Sequence, residues 1–220
     1  MSLRLILLGP PASGKGTQGR RLAEDLGLDY LSTGALLREA MEEGSAAGEE
    51  ARPYLERGDY VPDALMQPLV ERWLGERQGG WILDGYPRTL AQDDALRAWL
   101  RGQGGRLDGV IELQVPKQEL VRRIERRVEC PECRWSGQRG ELNGAGRCPE
   151  CGGLAGPRAD DTLDNFLSRH EQFVRHTMPI IERYAADDRL FSCDATAPVD
   201  AVAERLLAIS ERLKRHGQAA

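Results

Sequence analysis

An α/β fold, with a parallel sheet covered by helices on both faces, is what this sequence predicts, and three observations predict it. The first is an apolar strand over residues 3–8 that ends in the glycine-bounded loop Gly9-Pro10-Pro11-Ala12-Ser13-Gly14-Lys15-Gly16-Thr17. The second is the alternation of short strands with helical periodicity along the rest of the chain. The third is that the strands read as apolar runs, as strands buried on both faces do.

The loop carries its own chemistry. Gly9, Gly14 and Gly16 let backbone N–H groups close around phosphate oxygens where a Cβ would intrude. Lys15 can reach the outer phosphates, and the helix that opens near Gly14 points its positive end at them. The spacing G-x-x-x-x-G-K marks a nucleotide-phosphate loop, although Gly16 stands where the general motif has Ser or Thr and the hydroxyl follows at Thr17. A glycine-rich turn without a ligand is the plainer reading; the strand before it and the helix after it weigh against that.

The remaining elements follow in order. Residues 16–26 have apolar or small side chains at helical spacing and stop at Gly27. Residues 29–32 form a short strand. Helices follow over about 35–43 and 46–57, with Gly44 and Gly58 as stops, and over 63–76. Residues 80–84 are a buried strand, 89–100 a helix, 110–115 a strand, and 117 to about 127 a basic helix. A long helix is expected over 162–184, with Pro179 as a kink. Residues 190–193 are the last strand, and Thr196-Ala197-Pro198 opens the closing helix.

Composition narrows the function. At 220 residues the chain suits one large domain or one domain with insertions, and its 40% hydrophobic and 30% charged residues are ordinary for a globular enzyme. A net charge of −5 argues against binding nucleic acid through a bulk positive field. No apolar run approaches a membrane span. Met1-Ser2-Leu3-Arg4 leads directly into the first strand, so no signal peptide is expected and the location is read as cytoplasmic and reducing.

That compartment bears on the cysteines. Four of the five fall in matched knuckles, Cys130-Pro131-Glu132-Cys133 and Cys148-Pro149-Glu150-Cys151, with fourteen residues between them. Under reducing conditions such units read as a metal site rather than disulfides. Four thiolates in a closed tetrahedral shell suit a structural zinc; iron is the rival metal, and doubling of the motif disfavours a redox pair. Residues 134–147 are polar and glycine-rich and could not fold on a core of their own, so a metal gives them a reason to be ordered. Cys193 reads as a buried thiol.

Asp84 ends an apolar strand and is followed by Gly85-Tyr86-Pro87-Arg88-Thr89. A carboxylate at the carboxyl end of a parallel strand lies in the ligand crevice, where it can hold magnesium directly or through water. Helix capping is the alternative. Arg38, Arg88, Arg123, Arg127, Arg158 and Arg169 lie at or beside predicted element ends, and a phosphoryl-transfer site needs several guanidiniums. His170, His176 and His216 show neither metal nor triad spacing and read as surface or helix residues.

Taken together, these residues resemble the adenylate kinase family, in its zinc-containing, long-lid bacterial form. The resemblance spans nearly the whole chain. It rests on residues 9–18, on Ser32-Thr33-Gly34 with Leu37-Arg38, and on residues 84–89 with Gln92. It continues through residues 123–127, the four cysteines, Arg158-Ala159-Asp160-Asp161, and Arg169. Gly16, odd for a general phosphate loop, is what this family has.

The resemblance implies a five-stranded parallel core of P-loop NTPase type over 1–31, 62–125 and 162–220. It implies a helical AMP-binding insert over 32–61 and a zinc-bearing lid over 126–161. It implies reversible phosphoryl transfer from Mg·ATP to AMP giving two ADP, by a monomer that binds neither nucleic acid nor membrane. By position, Ala12, Ser13, Gly14, Lys15, Gly16 and Thr17 would hold the ATP phosphates. Arg123 and Arg127 would come over ATP, joined by Ser136 and Gly137 from the lid and by backbone atoms of Ala197. Thr33, Arg38, Asp59, Tyr60, Val61, Gly85, Tyr86, Pro87, Arg88 and Gln92 would hold AMP. Arg158 and Arg169 would reach the transferring phosphate and the AMP side. Lys15, Arg88, Arg127, Arg158 and Arg169 form the catalytic set, Asp84 would hold magnesium through water, and Cys130, Cys133, Cys148 and Cys151 the zinc. Asp160 and Asp161 would mark the lid hinge.

The chain departs from the family pattern in places. It has Ala35 where Asp is frequent and Asp59 where a basic residue is frequent. Its lid is two residues shorter between the knuckles and lacks the usual Tyr-His and Phe-Asn-Pro-Pro segments. A kinase for another nucleoside monophosphate is the nearest alternative; Thr89, the long lid and Gln92 favour AMP. A nucleotide-regulated protein whose zinc knuckles hold nucleic acid is the second, and the acidity of the chain weighs against it.

Overall fold

A computed structural model describes residues 3–158 and 160–218; Met1-Ser2, Ala159, Ala219-Ala220 and the side chains of His216 and Gln218 lie outside what is described. In chain order the elements are β1 (Arg4–Leu8), α1 (Lys15–Leu26), β2 (Asp29–Ser32), α2 (Thr33–Glu42), α3 (Ala46–Arg57) and α4 (Asp63–Gly75). Next come β3 (Trp81–Asp84), α5 (Leu90–Gly102), β4 (Gly109–Gln114), α6 (Lys117–Arg126), β5 (Arg127–Glu129) and β6 (Ser136–Gln138). The chain closes with α7 (Leu163–Gln172), α8 (Met178–Ala186), β7 (Leu190–Asp194) and α9 (Val199–Gln218).

Five strands pair in the order β2-β3-β1-β4-β7, and every pairing is parallel. Period-two alternation sorts their side chains onto two faces. Ile6, Leu8, Leu83 and Val110 join the cluster under α4, α5 and α8, whereas Leu5, Leu7, Ile82 and Ile111 join the cluster under α1 and α9. Both faces are therefore covered, as the apolar runs require. Each fully buried Leu or Ile contributes about 1.5–3 kcal/mol. Register aligns the strand ends: Leu7 is opposite Asp84 and Ser32 is opposite Asp84, so the loop after β1 and the turns after β2 and β3 open side by side. Such an edge is where open parallel sheets take ligands.

Two segments differ in kind from the expectation. The single long helix is α7, a π-helical turn over Phe173–Thr177, then α8, with Pro179 in the first turn of α8. Proline has no N–H to give the carbonyl four residues back; the ladder shifts there, and the N–H of Met178 donates to Phe173 O. Residues 134–147 hold β6, which pairs antiparallel with β5, and two short 3₁₀ turns. The two knuckles fold alike: Cys130 N donates to Trp135 O at 2.8 Å, and Cys148 N to Gly153 O at 2.8 Å.

Candidate active site

The loop after β1 owes its path to close contacts. Gly9 has φ 148°, and a Cβ there would lie 2.8 Å from Leu113 O. Gly14 caps α1 in the left-handed region, so the first N–H groups of α1 face the loop. Lys15 folds back over it, donating to Gly9 O at 2.8 Å and Pro10 O at 2.9 Å. Burial pushes its ammonium down to about 8; Asp84 opposes the shift, and Arg88 and Arg127 add to it. Asp84 accepts from Tyr30 OH at 2.8 Å, and burial together with Asp84 pushes that phenol well up. Asp84 is not a helix cap: α5 is capped by Thr89, whose hydroxyl accepts from Gln92 N at 3.1 Å.

The segment 127–161 is seated on this loop. Thr17 donates through Oγ1 to Ser136 O at 3.1 Å, and Arg20 to Arg134 O at 2.8 Å. Arg134 reaches on to α2, where its guanidinium takes both carboxylate oxygens of Glu42. Arg123 donates to Ala195 O at 2.7 Å, which places it beside the turn that carries Ala197.

On the other side lies the turn after β3. Gly85 has φ 81°, and a Cβ there would meet Thr33 Oγ1 at 2.6 Å and Arg88 Nη2 at 2.8 Å. Thr33 Oγ1 donates to Gly85 O at 2.9 Å, and Arg88 Nε donates to the same oxygen at 2.7 Å. The Tyr86–Pro87 peptide is cis. The Arg88 guanidinium lies 4.9 Å from the centre of the Tyr60 ring. A cavity here is walled by Gly34, Leu37, Leu55, Tyr60, Val61 and Met66, with Gly85, Arg88 and Gln92 at its polar end. Asp59 also lines it, but its carboxylate pairs with Arg57 at 3.0 Å. Gln92 is almost wholly buried, and both ends of its amide are engaged, with Arg88 N and with Asp63.

Between loop and turn the cations converge. Lys15 is near enough to Arg88 and Arg127 to be repelled by both, and Arg38 likewise by Arg158 and Arg127. Burial, then Arg158, pushes Arg38 down to about 10, and its buried Nε has no hydrogen-bond partner among the described residues. Asp160 and Asp161 hold the rest: Asp160 accepts from Arg158 Nη2 at 2.8 Å and Arg169 Nη2 at 2.7 Å, and Asp161 pairs with Arg127. Burial opposes ionisation of Asp160, but Arg158 and Arg169 outweigh it and hold the carboxyl well below the usual range. Glu129 pairs with Arg158 at 3.3 Å as well, yet Asp160, Asp161 and Glu129 are fewer than the guanidiniums of Arg38, Arg88, Arg127, Arg158 and Arg169, which makes this cluster an anion site.

The four cysteine thiols form one cluster, all Sγ atoms within 4.8 Å of one another, with Cys130–Cys151 at 3.5 Å and Cys133–Cys148 at 3.6 Å. Cys193 is buried in the sheet core, apart from them. His170 packs between Phe166 and Phe173, and His176 against Tyr60.

Several residues here carry no motif. Asp63 takes both Gln92 and Thr89, Thr177 takes Tyr60 OH and donates to Arg88 O, and Arg134 pairs with Glu42 of α2. Asp63 could be read from the sequence only as the acidic first turn of a helix.

Comparison with known proteins agrees with this geometry. The family model described as adenylate kinase matches residues 7–189. The chain is 36% identical to an adenylate kinase of Archaeoglobus fulgidus over 96% of its length and all of that protein's. It is 37% identical to one of Paracoccus denitrificans over 97% of its length and 99% of that protein's. With one of Rhizobium etli it shares 38% identity over 96% of its length and the whole of the relative. A match over most of the chain by the family model, and near-complete coverage of relatives at this identity, place it without ambiguity: the chain belongs to the adenylate kinase family.

Proposed function

We propose that this adenylate kinase family member transfers the terminal phosphoryl group of Mg·ATP reversibly to AMP, giving two ADP, through the residues gathered at the sheet's carboxyl edge. ATP:AMP phosphoryl transfer is the activity of the family. The observation that carries the assignment of roles is the convergence of Lys15, Arg38, Arg88, Arg127 and Arg158 between a phosphate-type loop and an apolar cavity of base-binding character.

In this reading Ala12, Ser13, Gly14, Lys15, Gly16 and Thr17 take the ATP phosphates. Arg123 and Ala197 border the donor base, with Ser136 and Gly137 above. Thr33, Arg38, Asp59, Tyr60, Val61, the turn from Gly85 to Arg88 and Gln92 take AMP. A phosphate oxygen of AMP attacks the γ-phosphorus as its bond to the β–γ bridging oxygen breaks, and that oxygen leaves on ADP. No side chain becomes covalently attached. Lys15, Arg88, Arg127, Arg158 and Arg169 surround the charge that spreads over the transferring group. The segment 126–161 acts as a lid and 32–61 as the AMP-binding insert on a core of 1–31, 62–125 and 162–220. Seating of Ser136 and Arg134 on α1 keeps water, the competing acceptor, from the γ-phosphate. Asp84, beside Lys15, would hold a water of the magnesium that accompanies ATP, and that ion would neutralise phosphate charge.

The lid cluster fits zinc. Four thiolates about 2.3 Å from one ion stand about 3.8 Å apart, and the Cys130–Cys151 and Cys133–Cys148 separations of 3.5 and 3.6 Å are close to that. With all four positions filled by protein thiolates, a bound ion would stiffen the lid and supply no chemistry. The same family reading carries a cytoplasmic monomer with it; gel filtration against standards tests the oligomeric state. The test of the activity is ADP formation from Mg·ATP with AMP, GMP, CMP and UMP offered singly, beside a control without acceptor. Strong preference for AMP with little background hydrolysis is expected. Absence of acceptor-dependent ADP formation overturns the proposal.

A further inference from the structure

Four hydrogen bonds close a ring behind the acceptor cavity. Asp63 Oδ1 accepts from Gln92 Nε2 at 2.6 Å and Oδ2 accepts from Thr89 Oγ1 at 3.1 Å. Thr89 Oγ1 in turn accepts from Gln92 N at 3.1 Å, and Gln92 Oε1 accepts from Arg88 N at 2.7 Å. Each outer member of this ring has one polarity only. A backbone N–H can only donate, and a carboxylate can only accept. The two ends of the Gln92 amide therefore cannot exchange places: reversal would set Nε2 against the Arg88 N–H and Oε1 against the Asp63 carboxylate. Both hydrogen bonds would be lost and replaced by like-polarity contacts at a nearly fully buried side chain.

An amide that lines a base pocket reads purines by polarity. Adenine offers an amino donor beside a ring-nitrogen acceptor, and guanine offers a carbonyl acceptor beside a ring N–H donor. One amide orientation serves the first pattern, and the reversed orientation serves the second. An amide free to turn accepts both. We infer that Asp63 is a specificity-determining positioning residue: by locking the Gln92 amide in one orientation, it makes the acceptor cavity select a 6-aminopurine monophosphate against a 6-oxopurine one. This inference rests on the reading of that cavity as the acceptor-base site. Asp63 acts through Gln92 and Thr89, and rejection of the wrong base comes from leaving buried polar groups opposed rather than from steric exclusion.

The test is the ratio of kcat/KM for AMP to that for GMP, with GMP also titrated as an inhibitor competing with AMP, in the wild type and in Asp63→Asn and Asp63→Ala. Asparagine can turn its own amide to suit either orientation of Gln92 and alanine offers it no partner, so in both variants only the Arg88 N–H still opposes reversal. Both variants should lower the AMP-to-GMP ratio at least tenfold, with GMP inhibiting at correspondingly lower concentration. A role confined to holding the helix start would depress both acceptors together and leave the ratio unchanged; a fall of less than fivefold in a folded variant overturns the inference. The lock is also read in the wild-type protein without any substitution. The side-chain amide protons of Gln92 should exchange with solvent at least tenfold more slowly than those of exposed Gln103. Exchange at the same rate overturns it too. A wild type that makes no ADP from ATP and AMP would instead refute the assigned activity, which is a separate outcome.

Discussion

Lys15 should take up a proton when ATP binds, by an amount that depends on pH in a calculable way. Its Nζ serves two loop carbonyls, a task a neutral amine with two N–H bonds also performs, and burial beside Arg88 and Arg127 holds its pKa at about 8. Before nucleotide binds, about one-tenth of Lys15 is neutral at pH 7, about half at pH 8 and about nine-tenths at pH 9. Phosphate oxygens brought alongside restore the ordinary lysine value of ~10.4, so binding should take up about 0.1, 0.5 and 0.9 proton at those three pH values. The linked consequence is that ATP affinity is flat below about pH 7, weakens by roughly threefold per unit near pH 8 and approaches tenfold per unit above pH 9. The sign for the unliganded protein is the opposite. The unfolded chain binds more protons between about pH 8 and the ordinary lysine value, so this residue's contribution makes stability rise with pH across that window. Calorimetric titration with a non-transferring Mg·ATP analogue, in buffers of different ionisation enthalpy, counts the protons directly. Lys15→Arg, which does not titrate in the range, should show none of this uptake. Uptake near zero at pH 8, or equal at pH 7 and 9, would refute the link between burial of this ammonium and its protonation.

Other substitutions separate chemistry from scaffold. Arg88→Ala should lower turnover by about 10²–10³, the scale of one lost charge-stabilising donor; single-turnover rates near wild type would exclude Arg88 from the transferring step. Cys130→Ser should lower bound zinc below one ion per chain and bring the lid's unfolding to lower temperature, measured by metal analysis and calorimetry, with the core sheet's transition kept. Glu42→Ala removes an exposed ion pair worth about 0.2–1 kcal/mol, so KM for ATP should rise no more than about fivefold, and less at high salt. Arg134→Gly breaks the same pair but also releases a non-glycine residue from φ 61°, a conformation that costs roughly 1–2 kcal/mol. It should therefore raise the lid's melting temperature while raising KM as Glu42→Ala does; a fall in melting temperature would contradict the strain at Arg134.

The legible parts of the sequence were those where one residue type answers one physical need. Glycines 9 and 14, Lys15 and an apolar strand before them can be read as a loop for phosphate because little else demands that set. A parallel sheet covered on both faces followed from the apolar strands, but its order β2-β3-β1-β4-β7 did not, because burial does not say which strands are neighbours. The thiol cluster was legible from its doubled spacing. What stayed hidden depends on tertiary approach. Asp63 looks like any acidic residue in a first helical turn, and its value arises only when β3 brings Thr89 and Gln92 to it. Arg134 and Glu42 are ordinary surface charges until the fold brings the segment between β5 and β6 to α2. Proline at 179 announces a break in a helix but not its form, because the compensating shift in hydrogen bonding sits in the preceding turn. Residues 134–147 offer no periodicity, and their order comes from backbone bonds around the knuckles that composition does not encode.

That shifted turn has a consequence for how the molecule is wired. A π turn carries one residue more than an α turn and so advances the phase of everything after it by about 100°. Before it, α7 sends Phe166 to Leu120 and Ile124 of α6, the helix that runs into β5. After it, α8 sends Ile180, Ile181 and Tyr184 into the cluster against the sheet. One continuous rod thus addresses two separate bodies, and the extra residue is the phase offset that lets each half face its own. Thr177, the last residue of the offset, holds the hydroxyl of Tyr60, between α3 and α4, and the carbonyl of Arg88, in the turn after β3. Deleting one residue from this turn would leave composition and helicity intact, yet it would rotate α8's apolar face off the sheet and take Thr177 away from Arg88. Chain length at this point, more than residue identity, keeps the two halves of the enzyme in step.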